Sequence, residues 1–114
     1  MTSCYMTFTS AKERSVVNDL LAVARLRGYA VSVIDGIAGE GELVLNQATN
    51  MADVKRALAS TDGDTLRFWG PVDATTGKRS KLGTVVLVWG NGEDLIADHT
   101  DNEAINTLVE EASA

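Results

Sequence analysis

Three stretches of the chain carry apolar residues at helical spacing, and each opens on a capping signature. Val17, Leu20, Leu21 and Ala24 follow Ser10-Ala11-Lys12-Glu13, a Ser-x-x-Glu capping box, and Gly28 closes the stretch. Met51, Val54 and Leu58 follow Asn50, with Asp53 three residues beyond the cap. Ile105, Leu108, Val109 and Ala112 follow Thr100-Asp101-Asn102-Glu103, which reads as a Thr-x-x-Glu box. In each case a side-chain oxygen meets orphan N–H groups of the first turn, and an acid complements the helix dipole.

Between these helices the period falls to two. Tyr29, Val31 and Val33 alternate with Ala30, Ser32 and Ile34; Leu43 and Leu45 with Val44 and Asn46; Leu66 and Phe68 with Arg67 and Trp69. Thr84–Trp89 is apolar on both faces after Thr84 and reads as a central strand. Turn chemistry separates the runs at Asp35-Gly36, Asp62-Gly63, Thr76-Gly77 and Asn91-Gly92. The predicted order is α-β-β-α-β-β-α, which hints at an internal αββ repeat. Hairpin-linked strands give a single α+β domain over 7–114, a mostly antiparallel four-stranded sheet with helices packed on one face. Asn91-Gly92 would also serve a third hairpin, with a short fifth strand at Leu95–Ala97. Residues 1–6 lack a pattern and are expected to be a disordered extension.

Bulk composition adds limits. A chain of 114 residues with 45% apolar content can bury a core, and its few aromatics leave that core to Val, Leu, Ile and Ala. The one cysteine, Cys4, cannot form an internal disulfide, which fits a reducing cytoplasm. No apolar run approaches the ~20 residues of a membrane helix, and the N-terminus does not read as a secretion signal.

Charge changes the picture more. Residues 1–81 carry all ten Lys and Arg and nine acids, a net +1; residues 82–114 carry seven acids and no base, a net −7. The acids follow the last long strand: Glu93, Asp94, Asp98, Asp101, Glu103, Glu110 and Glu111. Such asymmetry speaks of partners and solubility rather than fold.

The same segment holds the only histidine, His99. Its acids lack the alternating spacing and central glycine of a calcium loop, and zinc would need more His or Cys. No metal or other cofactor is expected. A Cys4–His99 pair has no support in spacing, and no serine sits in a nucleophile elbow. Glu40/Glu42 and Asp62/Asp64 flank glycines and read as turn residues. The glycines of 36–41 lack the Lys-Ser/Thr of a phosphate loop, and Glu40 and Glu42 would repel phosphate. The basic run Lys78-Arg79-Ser80-Lys81, with Arg67 nearby, reads as a solvated loop, and direct nucleic-acid binding is not expected of so acidic a chain. Trp69 and Trp89 would be core residues or, on an uncovered sheet face, anchors for a partner.

The stretch Val88–Glu103, with Val31-Ser32-Val33-Ile34-Asp35-Gly36 and Leu58-Ala59-Ser60-Thr61-Asp62 upstream, resembles segments of small uncharacterised accessory proteins of tailed phages and prophages. The resemblance runs from Thr7 to Ala112, with a longer loop at Pro71–Lys81 in this chain. It implies a phage accessory gene and supplies no catalytic residues. The expectation is therefore a non-enzymatic protein of the host cytoplasm. It would engage a basic surface on a host protein, such as a CRISPR-type defence complex, through Trp89, Glu93, Asp94, Asp98, His99, Asp101 and Glu103. The alternative is a homo-oligomeric assembly or minor virion protein, dimerising through a sheet face or edge strand.

Overall fold

The computed structural model describes residues 4–36, 41–90 and 94–113. Nine elements follow in order: α1 (Cys4–Phe8), α2 (Ala11–Leu26), β1 (Ala30–Asp35), β2 (Leu43–Ala48), α3 (Met51–Arg56), β3 (Gly63–Trp69), β4 (Lys81–Val88), β5 (Ile96–His99) and α4 (Glu103–Ser113). The strands form one antiparallel sheet in the order β2-β1-β3-β4-β5.

The capping grammar holds at two helices and shifts at the third. Glu13 N–H donates to Ser10 Oγ and Ser10 N–H to Glu13 Oε1, a reciprocal box at the start of α2. At its other end Gly28 stands at φ +74°, where a side chain would be strained. Gly28 N–H donates to the Arg25 carbonyl and Tyr29 N–H to that of Ala24, the paired bonds of a Schellman motif. Asn50 caps α3 by accepting from Ala52 N–H. The cap of α4 is Asn102, not Thr100: Asn102 Oδ1 accepts from Ile105 N–H. Thr100 Oγ1 instead accepts from Thr84 N–H at 2.9 Å.

Two further expectations are corrected. The sheet has five strands rather than four, because β5 pairs with β4 at Val85–His99, Val86–Asp98 and Leu87–Ile96. The fifth strand lies at Ile96–His99 rather than Leu95–Ala97, and Leu95 is fully buried just before it. The turn residues Asn91 and Gly92 lie outside the described residues. At the N-terminus, Cys4–Phe8 form α1, which takes in residues 4–6 of the disordered extension expected over 1–6, and Tyr5 is only 3% exposed; residues 1–3 lie outside the described residues. The reason is tertiary: Tyr5 meets Trp89 edge-to-face, ring centroids 6.2 Å apart, so the turn is held from the far end of the chain.

One sheet face builds the core. Register aligns Val31 with Phe68, Val33 with Leu66, Leu66 with Val85, and Asp64 with Leu87. Val31, Val33, Leu66, Phe68, Val85 and Leu87 form one cluster with Val17, Leu20, Leu21 and Ala24 of α2, Val54 of α3, and Ile105 and Leu108 of α4. α4 comes closest at Gly83, where a Cβ would sit 2.7 Å from Ile105 Cγ1 and 2.8 Å from Thr100 Cβ. The opposite face carries Ser32, Arg67, Thr84, Val86 and Asp98 in register. β4 is interior, but its Thr84, Val86 and Val88 are only half-buried; the strand buried on both faces is β1. Among the described residues no helix is long and apolar enough to cross a membrane.

Candidate functional site

Val88 N–H donates to the Leu95 carbonyl, so the adjoining residues Trp89 and Asp94 stand at the same end of the sheet, while Asp98, His99, Asp101 and Glu103 lie further along β5 and at the start of α4. Asp94 is exposed in a short turn before Leu95. Asp98 is exposed on β5, the free edge of the sheet, and its Oδ1 accepts from His99 N–H. Its register with Val86 places it on the face opposite the helices. His99 is half-buried on the other side of the strand, with Nδ1 3.0 Å from the Thr100 carbonyl. A carbonyl only accepts, so that nitrogen carries the proton. Asp101 is exposed and accepts from Asn106 Nδ2, and Glu103 is exposed in the first turn of α4. Glu93 lies outside the described residues.

Pairing separates these acids from others. Glu111 meets Arg27 at 2.5 Å, and Asp53 pairs with Arg56. Asp94, Asp98, Asp101 and Glu103 have no cation partner among the described residues. The edge from β5 to the start of α4 is thus a run of solvated, uncompensated carboxylates. The basic loop is built otherwise. Asp73 Oδ1 accepts from Thr75 and Thr76 N–H, which holds its carboxyl below the usual range, and Arg79 donates to the carbonyls of Gly28 and Gly70. Arg79 therefore ties the loop to the α2–β1 turn, and the solvated cations there are Lys78 and Lys81.

Trp89 stands at the end of the sheet where β3 begins, β4 finishes and β5 starts. Its N–H donates to the Asp62 carbonyl, and its indole Nε1–H donates to Asp64 Oδ2 at 2.8 Å. The same oxygen accepts from Ala59 N–H at 2.8 Å. Ala59 stands at φ +63°, a left-handed conformation costly for alanine, so this bond fixes a strained turn. Asp64 is fully buried and its Oδ1 has no hydrogen-bond partner. Burial pushes its carboxyl above the usual range, the bonds from Ala59 and Trp89 pull the other way, and the neighbouring Asp35 adds to the rise. Asp64 read from sequence as a turn residue; it is instead the buried second residue of β3.

Glu13 extends this region. Beyond its capping bond, its Oε2 accepts from Gly90 N–H at 2.7 Å, so the start of α2 is tied to the residue after Trp89. Tyr5 completes the packing, and burial pushes its hydroxyl up to about 12, against the pull of Arg14. An open cavity of about 390 Å³ lies here, lined by Phe8, Ala59, Asp62, Trp89 and Gly90 among others. Phe8 is 68% exposed on its rim. The sequence signal for this site was Trp89 alone; nothing in the spacing announced Asp64 or Phe8.

The other tryptophan, Trp69, lies on the face opposite the helices. Its Nε1–H donates to Ser32 Oγ at 2.9 Å, and Ser32 also accepts from Gln47 N–H and bonds Asn46. Nearby, Arg67 Nε is buried without a hydrogen-bond partner. Among the described residues no group of three or more His, Cys, Asp or Glu is placed to hold a metal ion. No protein-family model matches the chain, and no curated protein or solved structure was found similar to it.

Proposed function

We propose that the chain is a phage-encoded, non-enzymatic binding protein that acts in the host cytoplasm. Its acidic edge occupies a positively charged site on a host protein, in nucleic-acid-handling or defence machinery such as a CRISPR-type complex. One observation carries the reading: Asp94, Asp98, Asp101 and Glu103 are exposed along the β5 edge and the start of α4, with no cation partner among the described residues. Exposed carboxylates without a cation partner among the described residues, beside an edge strand, suit a groove that otherwise receives phosphates, and such association is fast and weakened by salt. The test is capture from host lysate by tagged protein at low and high salt. It is run beside a variant carrying Glu93→Gln, Asp94→Asn, Asp98→Asn and Asp101→Asn. A partner held by the wild type at low salt, lost at high salt and lost by the folded variant supports the reading. Capture that the variant retains in full overturns it.

A second reading, self-assembly, draws on the opposite edge. Leu43 and Val44 of β2 are 50% and 47% exposed on a free edge strand, next to the face that carries Trp69. Light scattering separates the two: a salt-insensitive oligomer favours assembly, and a monomer favours the host partner.

A further inference from the structure

The cavity beside Trp89 combines features that the acidic edge lacks. Phe8 and Trp89 supply aromatic surface, and Asp62 is exposed with no ion-pair partner among the described residues. Among the described residues no cation lines the cavity. Directly behind the wall lies Asp64, whose Oδ2 bonds the Ala59 N–H and the Trp89 indole, both groups of lining residues. The other oxygen of that fully buried carboxylate has no partner. Native proteins seldom leave a buried carboxylate oxygen unmet, so this one calls for an explanation. Asp35 lies opposite Asp64 in the β1–β3 ladder, and Glu13 holds Gly90. Carboxylates therefore gather at this end, and of them Asp62 lines the cavity itself, beside the exposed Phe8 ring and the half-buried Trp89 ring.

Rings and carboxylates together select one ligand chemistry. A ring face attracts cations through its quadrupole, and a carboxylate accepts a guanidinium's N–H groups. The planar guanidinium can stack and hydrogen-bond at once, which an ammonium cannot. We infer that the cavity bounded by Phe8, Trp89 and Asp62 seats an arginine side chain projecting from the basic partner. This rests on the proposed function for the partner's identity and adds a discrete anchor to the diffuse charge of the β5 edge.

The probe is N-acetyl-arginine methylamide, titrated into isotope-labelled full-length protein at low salt. The two indole Nε1–H resonances are followed, with Trp69 as the internal reference. A saturable shift at Trp89, with Trp69 still, is the expected result; the citrulline analogue, equal in shape and uncharged, should leave both still. Phe8→Ala and Asp62→Asn, both at exposed positions, should each weaken binding about two- to fivefold. The lysine analogue should bind less tightly than the arginine one. The inference is overturned if Trp89 does not respond, if the citrulline analogue shifts it equally, or if both variants bind as the wild type does. The outcome is separable from that of the lysate capture. Salt-sensitive capture with a silent Trp89 sinks the cavity reading alone, and a Trp89 response without capture sinks the acidic-edge reading alone.

Discussion

The two tryptophans give the same hydrogen bond to different chemistry. Trp69 ends β3 on the face away from the helices and donates to a hydroxyl, Ser32 Oγ. Trp89 follows β4 at the opposite end of the sheet, on the helix side, and donates to a buried carboxylate, Asp64 Oδ2. The Ser32 hydroxyl has further bonds to Asn46 and the Gln47 N–H, so it is satisfied without its tryptophan. The Asp64 carboxylate has only the Ala59 N–H besides, and one of its oxygens is unmet. The first arrangement is a local brace between strands. The second concentrates charge, strain and aromatic surface at one end of the molecule, where the cavity lies.

The largest effect should come from removing the carboxylate. Asp64→Ala leaves the Ala59 N–H and the Trp89 indole without their acceptor, and should cost about 2–4 kcal/mol in urea unfolding, with each orphaned donor worth ~1–3 kcal/mol. Loss below 1 kcal/mol would mean that water replaces the carboxylate easily. A paired substitution then sets the tryptophans side by side. Trp89→Phe should cost about 1.5–3 kcal/mol, the range for a bond to a charged group, and Trp69→Phe about 0.5–1.5 kcal/mol. Equal losses would erase the distinction drawn between them.

Acid titration sharpens the comparison further. Asp64 binds its proton more tightly folded than unfolded, because burial raises its pKa above 3.8. In the window from 3.8 up to that raised value the native state holds more protons than the unfolded one, so stability falls as pH climbs. Below 3.8 the penalty is absent; above the raised value it is present in full. Asp64→Asn should remove this component and flatten the stability–pH curve across that window, measured by denaturant unfolding at stepped pH. A slope unchanged by the substitution would assign it to another group. The smallest effect is expected at Ala59: glycine at φ +63° relieves the left-handed strain, less its own chain entropy, for a gain of up to about 1 kcal/mol. A loss there would show that the methyl group packs more than it strains.

Local grammar explains which features were legible. The Ser10–Glu13 box, the Asn50 cap, the Gly28 terminus and the alternating strands each need only neighbours in sequence, and each stands in the fold. The failures share a tertiary cause. Thr100 and Asn102 both offer a capping oxygen, and Thr84 N–H, from a strand already placed, takes Thr100 and leaves the cap to Asn102. Residues 4–8 are too short to show a period, and Trp89 holds them through Tyr5. Asp64 beside Gly63 has the look of a turn acid, and only the β3 register and the indole of Trp89 reveal it as buried. β1 hides its two-sided burial because Ala30 and Ser32 are small or polar. The acids of the β5 edge were legible as charge, but the face each side chain takes was not, since it depends on the β4–β5 register that sets Asp98 against Val86 and His99 against Val85.

The most direct test of this contrast is to follow the two indole Nε1–H signals as pH is lowered. Trp89 should shift through a single titration centred above 3.8, lost in Asp64→Asn, while Trp69 stays constant. Two signals that move together, or a Trp89 signal that ignores Asp64→Asn, would contradict the account.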